Sequence, residues 1–115
     1  MASEPIYKIC TAVEWAEAEG LGHYAGSTVD ATDGFIHFST AGQVPETARR
    51  HFTGQSGLVL VTVDPARLPV ELKWEASRGG DLFPHLYGVL PAEAAIDVRP
   101  LPLGDDGNPV LPELI

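Results

Sequence analysis

The apolar residues of the chain fall into short runs with two different periods. Ile6 to Cys10 has the length and composition of a short strand. Thr11 and Glu14 behind it have capping-box spacing, which predicts a helix through Trp15 to Glu19, ended by Gly20 and Gly22. From Leu21 to Asp33, glycines, two aspartates, Ser27 and two threonines compete with regular backbone pairing and predict a long loop. Gly34 to Ser39 alternates with period two, setting Phe35, His37 and Ser39 on one strand face and Ile36 and Phe38 on the other. Thr40 and Gln43 repeat the capping-box spacing, and Val44, Ala48 and Phe52 form one apolar stripe at i, i+4, i+8. Pro45 predicts a kink in that helix or a later start.

Beyond the Gly54–Gly57 loop, Leu58 to Val63 is a continuous apolar, β-branched run, the pattern of a central strand covered on both faces. Asp64 and Pro65 mark a turn. Val70 to Glu75 alternates again, and its face of Val70, Leu72 and Trp74 is expected to be buried, opposite Glu71, Lys73 and Glu75. Ser77 to Asp81 reads as a loop. Leu82 to Gly88 sets Phe83, His85 and Tyr87 against Leu82, Pro84 and Leu86, with Pro84 restricting the strand to an edge, a bulge or a strand start. Ala95 to Leu101 gives a last strand. Residues 102–115, rich in proline and turn residues, are expected to run as an extended tail on the surface. About six short strands and two helices in mixed order predict one α+β domain, core 6–101, with a bent or split mixed or antiparallel sheet.

Composition narrows the function classes. A chain of 115 residues with 44% apolar and 20% charged residues suits a single core and not disorder. Its formal charge of −9, from 16 acidic against 7 basic residues, repels phosphate backbones and anionic lipid, so duplex nucleic acid and membranes are poor partners. Arg49, Arg50 and Arg78 could still form a local anion site, so a small phosphate-bearing ligand remains compatible. Cys10 is alone and cannot pair within the chain. With a first segment that is neither basic nor long and apolar, it fits a reducing cytoplasm. Rossmann, P-loop, zincin and nucleophile-elbow motifs are missing. No two of His23, His37, His51 and His85 have the i, i+2 or i, i+4 spacing that puts two donors on one metal, so no metal site is expected.

Three groups of polar side chains sit at predicted strand ends, where rigid backbone delivers side chains to a cleft. His37, with Ser39 on its face and Thr40 next along, has the donors and acceptors to hold a ribose hydroxyl pair; a satisfied core histidine is the plain alternative, and Thr40 is a helix cap first. His85 and Tyr87 share a face on which a ring could be sandwiched. Glu75 lies over a cleft bounded by the Ser77–Asp81 loop, or else in solvent, or paired with Arg78. His37 and His85 are expected to approach one common cleft.

The segments 6–9 (IYKI), 33–40 (DGFIHFST), 47–52 (TARRHF), 72–80 (LKWEASRGG) and 82–88 (LFPHLYG) together resemble the domain-of-unknown-function family 952, over residues 6 to about 101. That family is similar in turn to proteins of the ADP-ribosyltransferase-like fold, a small split-sheet α+β architecture. The resemblance implies a cleft for NAD or ADP-ribose. His37 with Ser39 and Thr40 matches the wider group's histidine followed by a small hydroxyl residue. By the same resemblance Tyr87 or Trp74 would stack a flat ring, and Glu75 would be the catalytic carboxylate that stabilises an oxocarbenium at a ribose; Arg78, as part of the local anion site, is expected among the ligand contacts. The spacing of these later elements departs from the wider group's motif. Two functions stay open: a transferase or glycohydrolase acting on such a small-molecule ligand, and a non-catalytic binding or interaction module of the same fold.

Overall fold

The computed structural model describes residues 4–76 and 80–112. Strand β1 (Ile6–Thr11) runs directly into helix α1 (Ala12–Leu21). Thr11 makes the change of direction. Its hydroxyl accepts the Glu14 N–H while the Glu14 carboxylate accepts the Thr11 N–H, which is the expected reciprocal cap. Gly22, at φ 87°, closes the helix by donating its N–H to the Ala18 carbonyl, a left-handed position that favours glycine.

Strand β4 (Leu58–Val63) lies between β1 and β8 (Ala95–Leu101), antiparallel to both. Its alternation serves two cores at once. Leu58 and Leu60 pack with Tyr7, Ile9 and Leu101 against Val44 and Ala48 of helix α3 (Val44–His51). Val61 and Val63 pack with Ile6 and Cys10 against Trp15, Phe38 and Leu86 on the other face. This two-sided burial is why the run is apolar throughout.

A second antiparallel sheet has the order β3 (Ile36–His37), β6 (Leu82–Leu86), β5 (Lys73–Ala76), and a two-stranded ribbon joins β2 (His23–Tyr24) to β7 (Leu90–Pro91). Among the described residues the first and second sheets are hydrogen-bonded through one bridge. Tyr7 and Ser39 exchange both backbone hydrogen bonds at 2.8 Å, after which β1 and the β3 segment separate. The chain is thus an α+β domain with a split, antiparallel sheet and three α-helices.

Several expectations are corrected. The stretch from Leu21 to Asp33 is not a loop: it holds β2 and helix α2 (Thr28–Asp33), begun by a second capping box of Ser27 with Asp30. Pro84 lies in the central strand of its sheet, not at an edge. Its carbonyl accepts the Phe38 N–H, and the N–H it lacks would point back to the same side, so the ladder stops there and β3 is only two residues long. Trp74 is 49% exposed and Val70 is exposed too; only Leu72 of that face packs on the core. They belong to β5 and the approach to it, the edge strand of its sheet. Helix α3 starts late, with Pro45 in its first turn. Thr40 supplies a carbonyl to Gln43 and Val44, and its own N–H goes to the Gln43 side chain, so it precedes the cap instead of forming it. Residues 102–112 fold back on themselves and dock, with Gly54 donating to the Gly107 carbonyl and Leu111 against the Tyr7–Val44 core.

Candidate functional site

Lys8 sits on the same strand face as Ile6 and Cys10, where its ammonium would be stranded among apolar groups. It is 7% exposed. Asp30, in α2, meets it: Lys8 Nζ donates to Asp30 Oδ2 at 2.8 Å. The other oxygen, Oδ1, faces His37 Nδ1 at 2.6 Å and also accepts the His37 backbone N–H, while Oδ2 accepts the Ser27 N–H. Burial pushes the Asp30 carboxyl up, but the hydrogen bond from His37, the Lys8 charge and its hydrogen bond, and the Ser27 N–H together outweigh it and hold the group well below the usual carboxylate range. His37 Nε2 in turn lies 2.9 Å from Asp33 Oδ2.

His85 is the register partner of His37 across β3 and β6, so the two imidazoles share a face with ring centroids 5.4 Å apart. Phe35 packs over both, at 4.6 Å from His37 and 4.1 Å from His85, and reaches Tyr87 at 5.0 Å. On β5, Glu75 Oε1 accepts from His85 Nδ1 at 2.8 Å and from the Tyr87 hydroxyl at 2.7 Å. The hydrogen bond from Tyr87, then that from His85, lowers the Glu75 carboxyl against a small opposing effect of burial; the same bond raises the Tyr87 phenol. With Nδ1 donating to Glu75, the carboxylate fixes the orientation of the His85 ring.

A cleft of about 570 Å³ opens where β1 leaves the second sheet. Its lining includes Lys8 and Asp30, the aromatic residues Phe38, Phe52 and Phe83, His37 of β3, Ser39 two residues beyond it, and His85 of β6. Its size falls within the range of small-ligand sites, roughly 300–1,000 Å³.

Of the residues singled out from the sequence, His37, Ser39 and His85 line this cleft. Ser39 is buried, with its hydroxyl 3.0 Å from that of Thr47. Glu75 and Tyr87 stand outside the lining and connect to it through His85. Thr40 is also outside, and Trp74 lies on the opposite strand face from Glu75. Arg78 lies outside the described residues. Sequence reasoning missed Lys8 and Asp30, although two signals were available: a lysine on the buried face of an otherwise apolar strand, and the Ser27-x-x-Asp30 spacing of a capping box. Among the described residues no three His, Cys, Asp or Glu side chains are grouped to hold a metal ion, and no helix is long and apolar enough to cross a membrane. Burial raises the Cys10 thiol to about 12, which leaves it unreactive at neutral pH.

The chain belongs to the family described as protein of unknown function DUF952, whose model matches residues 9–98. Among solved structures it is similar to the protein CC0527 from Caulobacter crescentus. The crystal structure of that protein shares 47% identity and a TM-score of 0.87, covering 92% of this chain and 93% of the other. Its solution NMR structure shares 48% identity and a TM-score of 0.81, covering 91% and 90%. No curated protein matches the chain.

Proposed function

We propose that the chain binds a small ligand of the nucleotide class, NAD or ADP-ribose, in the cleft between β1 and the second sheet. The observation that carries this reading is the makeup of the cleft: its lining combines the hydrogen-bonded chain of Lys8, Asp30 and His37 with aromatic residues, at the point where a split sheet opens. Apolar walls with a few convergent polar groups are what a small-molecule site requires. In this reading His37, Ser39, Thr40, Arg78, His85 and Tyr87 are the ligand-binding residues and Glu75 is the catalytic carboxylate. Two donors already occupy Glu75 Oε1, which leaves Oε2 to meet positive charge developing at a ribose.

A second reading, a non-catalytic binding module of the same fold, is favoured by one fact. Glu75 and Tyr87 bond to each other and to His85 outside the cleft lining, as a structural cluster would. Thermal unfolding with NAD and with ADP-ribose tests the first claim. A ligand that binds only the folded state at 100 times its dissociation constant adds about 2.7 kcal/mol, a melting shift of roughly 10 °C or more for a domain near this size. No shift with either compound at millimolar concentration removes the nucleotide reading. Glu75→Gln then separates the two: an enzyme keeps most of its ligand affinity and loses turnover, whereas a binding module has no turnover to lose.

A further inference from the structure

The bridge between Tyr7 and Ser39 joins one end of the first sheet to one end of the second, which leaves β8 and β5 as their outer strands. Both expose apolar side chains, Ile96 and Val98 on β8 and Trp74 on β5. Their edges are built differently. β8 contains Pro100 and a register shift opposite Thr62 and Val63, two features that keep an edge strand from accepting another. β5 (Lys73–Ala76) has neither: it holds no proline and pairs with β6 in unbroken register. Alternate residues of an antiparallel strand turn their backbone groups to the same side. The Pro84 carbonyl accepts the Phe38 N–H from β3, so Phe83 and His85 turn toward β5 and meet Glu75 and Lys73. Trp74 and Ala76 turn toward the open edge.

We propose that β5 is a self-association edge: it pairs antiparallel with β5 of a second copy of this chain, about a two-fold axis at Trp74, and continues the second sheet from one copy into the other. Charge selects this partner and this register. Centred on Trp74, the pairing sets Lys73 of each copy opposite the partner's Glu75, so that one match is made twice, as a two-fold interface requires. Centred on Lys73 or on Glu75, it would set like charges directly opposite each other, which is destabilising. The apolar side chains match as well. Trp74 comes beside the partner's Trp74, and Ala76, which is in register with the exposed Leu82, comes beside the partner's Leu72. Because β5 supplies no residue to the cleft lining, the pairing goes beyond both readings of the cleft and depends on neither.

The test is sedimentation equilibrium of the whole chain from micromolar to millimolar concentration. The mass is expected to rise from that of one copy toward that of two and to stop there. The paired segment is short beside the roughly 1,200–2,000 Å² that stable interfaces bury, so the rise belongs at the upper end of the range. Lys73→Glu sets two glutamates opposite the partner's Glu75 pair, and Trp74→Ala removes the contact at the axis; each should weaken dimerisation by about tenfold or more. Glu75→Lys alone should weaken it too. Mixing the Lys73→Glu and Glu75→Lys proteins restores opposite charges across the axis and should restore a dimer that neither forms alone. Circular dichroism checks each fold, and if Glu75→Lys does not fold, Lys73→Glu and Trp74→Ala decide the matter by themselves. A single-copy mass throughout, growth beyond two copies, or a dimer that Lys73→Glu or Trp74→Ala leaves unchanged would overturn the proposal. A mixture of the two folded charge variants that stays monomeric would overturn the register centred on Trp74.

Discussion

Asp30→Ala tests the charged chain beneath the cleft most severely. Asp30 is 2% exposed and accepts four hydrogen bonds: from Lys8, from the ring and backbone of His37, and from the backbone of Ser27. Removing it leaves the Lys8 ammonium buried beside apolar residues, worth about 3–5 kcal/mol when a buried pair loses one partner. It also removes half of the α2 capping box, worth about 1 kcal/mol. The sum, about 4–6 kcal/mol, rivals the whole stability of many small domains, roughly 5–15 kcal/mol. Asp30→Asn, which keeps the shape and loses the charge, is therefore measured beside it. Lys8→Met is milder, at about 2 kcal/mol, because Asp30 keeps three of its four donors and Met fills the place of the lysine stem. Urea unfolding midpoints at pH 7 give the order wild type, Lys8→Met, then the Asp30 variants. Because the folded-state Asp30 carboxyl is depressed, its contribution is full above the unfolded value near pH 4 and is lost as pH falls through the folded value. Wild type therefore loses stability between about pH 5 and 2 by this route, and Asp30→Asn lacks that part of the loss. An Asp30→Ala cost under about 1 kcal/mol, or a Lys8→Met cost equal to it, would refute the account of the network.

Three further outcomes follow from particular contacts. Trp74→Ala should cost about 1 kcal/mol or less in urea unfolding, not the roughly 3–5 kcal/mol of a buried tryptophan; a larger loss would place the indole in the core. Tyr24 buries its hydroxyl with no partner among the described residues, so Tyr24→Phe should leave stability unchanged or raise it by about 1 kcal/mol, and a clear loss would mean that the hydroxyl is bridged. Tyr87→Phe deletes the strongest influence lowering the Glu75 carboxyl, so the Glu75 side-chain NMR titration should move up toward the ordinary glutamate value; an unmoved midpoint would deny the Tyr87–Glu75 bond in solution.

Local signals were legible wherever one residue pattern had one structural meaning. The Thr11–Glu14 box and the two-faced Leu58–Val63 strand follow from spacing and period; the expected approach of His37 to His85 is met by their pairing across β3 and β6, a register that no single segment encodes. Helix α2 was hidden because it is six residues long and its Ser27–Asp30 cap lies among glycines and aspartates that equally suit a turn. The exposure of Trp74 depends on β5 being an edge strand, which is a property of the sheet and not of the segment. Pro84 misled in the same way. Its missing donor falls where β3 ends, and that choice of side exists only after the strands have paired. Of the cleft lining, His37, Ser39 and His85 were visible in the sequence as polar residues at strand ends. Lys8 and Asp30 each left a local mark, the lysine on an apolar strand face and the Ser27–Asp30 spacing, but their meeting across 22 residues is written in neither segment.

The central claim is that the cleft beside β1 holds a nucleotide-type ligand through His37. Isothermal titration of NAD and of ADP-ribose into wild type and into His37→Ala, with the fold of the variant checked by circular dichroism, measures this directly. The account predicts one-to-one saturable binding to wild type and, for a folded His37→Ala protein, binding weakened by tenfold or more, about 1.4 kcal/mol. Equal affinity in the two proteins, or no binding heat with either ligand across a range of temperatures, would contradict it.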